Sequence, residues 1–393
     1  MAERAHIVIV ATGGSFWLGG LQYSKNIIEA LTRFRGTLGD YAVSVVAANA
    51  AEMQSFAELA PSLRTVTNLQ DMQAPYSLVN RVRWRGKRMA GAIVPRLDEA
   101  LARMGATFAY PIASRHVNSA DWIADFQYAH HPDKMSAEEI AARERQFGGA
   151  VRHAMRIALS SAHAQEDCLR LFPQSRGRTS VLPFRVFARD EWRSGDPAAT
   201  VAKYNLPPHF ALVSNWLLPT KNHALALEAV ARIPAAERSG LHLVCTGDIY
   251  DYRNPGFYNS FFNTIHKLGL RDHVSVLGII PKHDQIQLLR AATLYLQPSL
   301  FEGWNTGVEE ARLFGKRIVL SDIPVHREQN PPRATFFDPH DAGDLAAKLR
   351  ETFGSTHAGD GRDAEQAAAE AYARLQRTFA ATFLALTNSD HAS

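Results

Sequence analysis

The run Leu294-Tyr295-Leu296-Gln297-Pro298-Ser299-Leu300-Phe301-Glu302-Gly303-Trp304-Asn305-Thr306-Gly307-Val308-Glu309-Glu310-Ala311-Arg312-Leu313-Phe314, closed by Arg317-Ile318-Val319-Leu320, decides the fold. Its first five residues are a short apolar strand. A loop with a carboxylate follows, a helix opens near Thr306, and 317–320 is strand again. Strand, helix and strand in so short a span point to parallel strands joined by helical crossovers. Thr306-Gly307-Val308-Glu309 has the spacing of a capping box, with Thr306 as N-cap and Glu309 as its reciprocal partner. That occupies Glu309 and leaves Glu310 for another task. The first backbone N–H groups of the helix have no internal partners and suit an anion such as a diphosphate. Gly303 and Gly307 would let such a ligand approach the backbone closely.

The same grammar extends in both directions. Residues 6–11 read as a buried strand ending in Thr12-Gly13-Gly14, with a second glycine pair at Gly19-Gly20 and a helix from Leu21. Further strands are expected at 41–47, 107–110, 122–126 and 157–160. The polar stretch 189–200 reads as a boundary. Beyond it, strands at 209–214, 241–246, 274–277, 294–298 and 317–320 alternate with helices at 223–233, 258–268, 284–292 and 306–314. The expected class is α/β, with domains at 1–188 and 200–371 and a cleft between them. The alanine-rich tail predicts a terminal helix whose part from about 372 to 393 packs back on the first domain.

Composition narrows the function classes. The chain has 393 residues and a net charge of +4 from 43 basic and 39 acidic side chains, too thin a surplus to indicate nucleic acid. Its two cysteines, Cys168 and Cys245, fit neither a disulfide framework nor metal-ligand spacing. No stretch reaches the roughly 18 apolar residues of a spanning helix, and the expected location is cytoplasmic. Arg81, Arg83, Arg85, Lys87 and Arg88 crowd around Trp84, a pattern that suits peripheral contact with an anionic membrane on its inner face. There is no D-x-D pair and no H-E-x-x-H motif, so no metal is expected.

Glu302 and Glu310 have seven residues between them, and Gly19-Gly20, Asp125-Phe126-Gln127, Lys221-Asn222-His223, Thr246-Gly247 and Asp322-Ile323-Pro324 stand around them in a fixed order. By this set the chain resembles glycosyltransferase family 4, retaining enzymes with an E-x7-E signature and the GT-B fold of two facing Rossmann-like domains. The resemblance covers most of the chain.

What the resemblance implies is a site of named residues. Glu310 would bind the ribose hydroxyls of a nucleotide-sugar donor, Glu302 the hydroxyls of the transferred sugar, and the backbone from Gly303 through Trp304, Asn305 and Thr306 to Gly307 the diphosphate. Lys221 would neutralise the leaving diphosphate. The family usually adds an arginine six positions earlier, where this chain has Asn215, with His223 or a side chain of the first domain as the substitute. Gly19 and Gly20 would lie against donor or acceptor, Gly247 would shape the donor pocket, and Ile279 would flank the nucleobase. Asp125 and His130 would stand near the reacting sugar. The implied activity is a metal-independent hexosyl transfer from a nucleotide-diphosphate sugar to an unknown acceptor, in polysaccharide or cell-envelope glycan synthesis, with no cofactor beyond the donor. Two alternatives stay open: a GT-B-type epimerase or phosphorylase, and a non-catalytic nucleotide-sugar-binding protein.

Overall fold

A strand covered on both faces has no polar side with which to alternate. In the computed structural model, which describes residues 5–13, 18–69, 95–238, 240–251, 254–354 and 362–388, β1 (Ala5–Val10) is buried from His6 onward and β2 (Tyr41–Ala47) throughout. With β3 (Thr65–Asn68), β4 (Phe108–Tyr110), β5 (Asn118–Ile123), β6 (Arg156–Leu159) and β7 (Thr179–Val181) they form a parallel sheet in the order β3-β2-β1-β4-β5-β6-β7. Ile7 lies opposite Val43 on one side and Phe108 on the other. The second sheet, also parallel, runs β10-β9-β8-β11-β12-β13, from β8 (Ala211–Ser214), β9 (Leu243–Thr246), β10 (Val274–Gly278), β11 (Leu294–Gln297), β12 (Ile318–Ser321) and β13 (Ala334–Phe337). Each order reverses once, between β1 and β4 and between β8 and β11. At such a point the chain leaves neighbouring strands in opposite directions and opens a crevice at their carboxyl ends.

The helices that matter here are α1 (Leu18–Arg33), α2 (Gln127–His130), α3 (Ala137–His153), α4 (Ala162–Leu171), α5 (His223–Arg232), α6 (Lys282–Ala291), α7 (Thr306–Leu313), α8 (Pro324–Gln329) and α9 (Arg362–Ala385). The chain divides into two compact units, 1–187 with 374–393, and 188–373. The last part of α9 belongs to the first unit. There Asn118 Nδ2 donates to the Thr387 carbonyl at 2.8 Å, and Arg156 donates to the carbonyls of Leu386 and Asn388 at 3.1 and 2.6 Å. Phe383 packs edge-on against Phe108 and Tyr110.

Two local expectations need correction. Gly19 and Gly20 sit in the first turn of α1, which begins at Leu18 and not at Leu21. The apolar stripe starts one turn late because residues at a helix entrance need not face the core. Ser24 closes that turn, donating to the Gly20 carbonyl at 3.2 Å and accepting the Thr12 N–H at 2.9 Å. Strand β5 spans 118–123 rather than 122–126, and Asp125 ends it by accepting the Gln127 N–H at 2.9 Å. Cys168 and Cys245 are free and buried. Burial pushes the Cys245 thiol up to about 12. Among the described residues no helix is long and apolar enough to cross a membrane. The basic cluster at Arg81, Arg83, Arg85, Lys87 and Arg88 lies outside the described residues.

Candidate active site

Strands β8 and β11 flank the reversal of the second sheet, and the side chains at their carboxyl ends meet. Asn215 Nδ2 donates to Gln297 Oε1 at 3.1 Å, and Gln297 Nε2 returns a bond to Asn215 Oδ1 at 3.2 Å. This closed amide pair ties the two strand ends together. Asn215, where an arginine was the family expectation, therefore spends both polar ends on Gln297.

The next loop supplies the charge. Leu300 N donates to the Thr220 carbonyl at 2.8 Å, which holds the loop after β11 against the turn Pro219–Lys221. Glu302 is buried there, and its Oε1 takes four donors: Lys221 Nζ at 2.6 Å, Ser299 Oγ at 2.7 Å, Asn305 Nδ2 at 2.9 Å and Gln297 Nε2 at 3.1 Å. Burial alone would raise its carboxyl, but the Lys221 ammonium and the Lys221 and Ser299 donors outweigh it and hold the group below its ordinary value. Lys221 and Glu302 thus form a largely buried ion pair.

The entrance to α7 departs from the expected capping box. Asn305, not Thr306, is the N-cap, and its Oδ1 accepts the Val308 N–H at 2.9 Å. Asparagine wins because its amide does two jobs at once, capping the helix through oxygen and donating to Glu302 through nitrogen. Glu309 points to another partner. It accepts from the Tyr372 hydroxyl at 2.6 Å and from Gln329 Nε2 at 3.0 Å, which fastens α7 to α9 and α8. Gly307 is a packing glycine: a Cβ there would fall 2.0 Å from the Tyr295 hydroxyl oxygen. Gly307→Ala should therefore cost about 1–3 kcal/mol of stability through overpacking. Urea unfolding of Gly307→Ala alone and with Tyr295→Phe checks this, and the second change should restore much of the loss.

Glu310, one residue further, is buried in a different state. Its Oε1 takes Lys282 Nζ at 2.5 Å, whereas Oε2 is buried with no hydrogen-bond partner. Lys282, the first residue of α6, gave no sequence signal, because a surface-type lysine at a helix start is ordinary. The loop before it brings Ile279, 67% exposed, to the end of β10. Gly247, at the end of β9, has φ +125° and would place a Cβ 2.2 Å from the Asn215 carbonyl oxygen, so its role is backbone packing beside the site. Trp304 is buried within the loop.

Two histidines sit near these charges without adding to them. His223 is buried against Phe261; burial and then Lys221 lower it to about 3, so it is neutral and supplies no phosphate charge. His326, on α8, bonds through Nδ1 to the Ser321 carbonyl at 2.9 Å and leaves Nε2 buried with no partner. Burial, against the pull of Glu302, brings it down to about 4. No sequence pattern pointed to it. In the first unit, Asp125 Oδ1 accepts the Gln127 N–H just before α2, and His130 Nε2 meets Asp167 Oδ2 at 2.6 Å.

Residues 201–371 match the family described as Glycosyl transferases group 1. The chain is 23% identical over 226 residues to O-antigen chain mannosyltransferase B of Escherichia coli, covering 56% of this chain and 57% of that one. It is 26% identical over 144 residues to the serotype-specific mannosyltransferase WbdA of Escherichia coli, covering 36% of this chain and 17% of the relative. It thus spans little more than half of the first relative and a small part of the second. Among solved structures, HepE of Anabaena in complex with UDP and glucose aligns with a TM-score of 0.70 over 98% of this chain and 99% of that chain, at 16% identity. The fold is GT-B, built from two Rossmann-like parallel-sheet units, and its second unit carries the sequence pattern of the group 1 glycosyl transferases.

Proposed function

We propose that the chain is a retaining, metal-independent glycosyltransferase that moves a hexose from a nucleotide-diphosphate sugar to an acceptor hydroxyl, in polysaccharide or cell-envelope glycan synthesis. One observation carries the reading: Glu310 Oε2 is buried without a partner. A buried acceptor left so costs about 1–3 kcal/mol, and more when charged, and a ribose hydroxyl would supply the missing donor. Glu302, whose first oxygen takes four donors, would offer its second to a hydroxyl of the transferred sugar.

The leaving diphosphate gathers charge as the sugar departs. Lys221 has three N–H bonds, of which Glu302 uses one. Asn305 takes the Val308 N–H, and those of Thr306 and Gly307 are helix-start donors that no intrahelical bond uses. These groups stand ready before the charge develops, so they lower the barrier without rearrangement. Asp125 acts on the acceptor side, and residues 81–88 touch an anionic membrane surface. The complex of HepE with UDP and glucose supports a nucleotide-sugar donor. The names of the two relatives make mannose the first sugar to try and fit polysaccharide assembly.

The test is turnover with UDP- and GDP-linked hexoses in EDTA, with the product's anomeric configuration read by NMR. The expected result is an acceptor-dependent release of nucleotide with retained configuration. Inversion, or loss of all activity in EDTA, would overturn the respective part. Release without acceptor would favour the epimerase or phosphorylase, and binding without any turnover the non-catalytic protein.

A further inference from the structure

His130 ends α2, which follows β5, while His163 and Asp167 lie one turn apart on α4, which follows β6. The three are spread over 37 residues of sequence and meet beyond the carboxyl ends of two neighbouring strands. His130 Nε2 is 2.6 Å and His163 Nε2 3.9 Å from the same oxygen, Asp167 Oδ2. One ligand atom from each residue lies within 4.8 Å of the others. The Asp167 side chain is 5% exposed, the two histidines 30% and 21%. Arg170 takes the other carboxylate oxygen at 2.6 Å and fixes its orientation. Both backbones are anchored as well, α2 through Asp125 and α4 through Ser161, whose hydroxyl accepts the Ala164 N–H at 3.0 Å.

We propose that His130, His163 and Asp167 bind one divalent transition ion of the zinc type, with water in the fourth position. A hydrogen-bonded His–Asp pair accounts for one histidine. The i, i+4 spacing of α4 brings a second imidazole, that of His163, toward the same oxygen. Two imidazoles and one carboxylate are the donor set of three-ligand zinc sites, whereas magnesium and calcium take oxygen. Metal–ligand bonds of about 2.0–2.2 Å put tetrahedral ligand atoms about 3.4 Å apart. The 2.6 and 3.9 Å separations bracket that value, so the His130 contact opens and the His163 contact closes by less than an ångström. The bound ion would replace the hydrogen-bond proton between His130 and Asp167 and clamp α2 to α4. It belongs to the first unit and takes no part in holding the diphosphate at Lys221.

Tag-free protein stripped with EDTA, then dialysed, is titrated calorimetrically with zinc chloride, and with cobalt chloride while the visible ligand-field absorption is recorded. The expected result is one ion per chain at micromolar or tighter affinity, with intense tetrahedral cobalt bands and no competition from magnesium. His163→Ala should weaken binding by about 100-fold or more, beyond the 10–100-fold typical of losing an outer partner, and abolish the cobalt bands. Asp167→Asn should do the same. His163 is partly exposed, so its variant keeps the test valid if the buried Asp167→Asn fails to fold. Absence of stoichiometric binding, or binding indifferent to His163→Ala, would overturn the proposal.

Discussion

Replacing Lys221 with alanine lowers kcat by about 100-fold or more, with a much smaller change in the KM for donor. Loss of one preorganised donor to developing charge typically costs 10²–10³ in rate, and in the proposed function Lys221 meets the charge that grows as the glycosidic bond breaks. Interactions that strengthen in the transition state act on kcat. Steady-state kinetics with the preferred donor reads both constants, and near-normal kcat would remove Lys221 from the chemistry. The same variant has a stability signature. The Glu302 carboxyl lies below its ordinary value in the folded protein. The pair therefore adds stability above the unfolded carboxyl range, and this is lost as pH falls through the depressed folded value. Without Lys221 burial dominates and the Glu302 carboxyl rises, so the variant is less stable than wild type at neutral pH and the gap narrows on acidification, which urea unfolding at neutral and mildly acidic pH measures. Lys221→Arg keeps a cation beside Glu302 and should lose less stability than Lys221→Ala.

Glu310→Ala weakens nucleotide binding by roughly 10–100-fold, the range expected for hydrogen bonds to a charged acceptor. Lys282, freed from Glu310, is 36% exposed and turns to water, so the fold survives the change. The control is a nucleotide that lacks the ribose 2′ and 3′ hydroxyls. Wild-type protein should bind it about as weakly as Glu310→Ala binds the complete nucleotide, and the variant should not distinguish the two. Calorimetric titration of both proteins with both ligands supplies the four affinities. An undiminished affinity in Glu310→Ala would show that the orphan Oε2 faces something other than a ribose.

The strand–helix alternation was legible because parallel strands buried on both faces leave unbroken apolar runs, such as Val8-Ile9-Val10 and Leu294-Tyr295-Leu296. Glu302, Lys221 and Glu310 drew attention because loops after strand ends are where such sheets meet ligands, and the structure joins Lys221 to Glu302. What supports them was not. Gln297 reads as one polar residue in a strand, yet it bonds Asn215, Ser299 and Glu302. The choice of Asn305 over Thr306 as cap depends on Glu302 needing a donor, which local propensity does not register. Glu309 finds its partner 63 residues away at Tyr372, and Lys282 reaches Glu310 across 28. The meeting of His130 with His163 and Asp167 depends on β5 and β6 being neighbours, a property of the sheet order. Side chains joined through the topology leave no mark in a linear reading.

The central claim is that the crevice beyond β8 and β11 is a nucleotide-sugar site completed by Glu310 and Lys221. Its most direct test is calorimetric titration of the wild-type protein with UDP, GDP and ADP and their hexose conjugates, in EDTA. The account predicts one site per chain, selective for one nucleotide family and indifferent to the chelator. Binding of none of these ligands, while the protein remains folded, would contradict it.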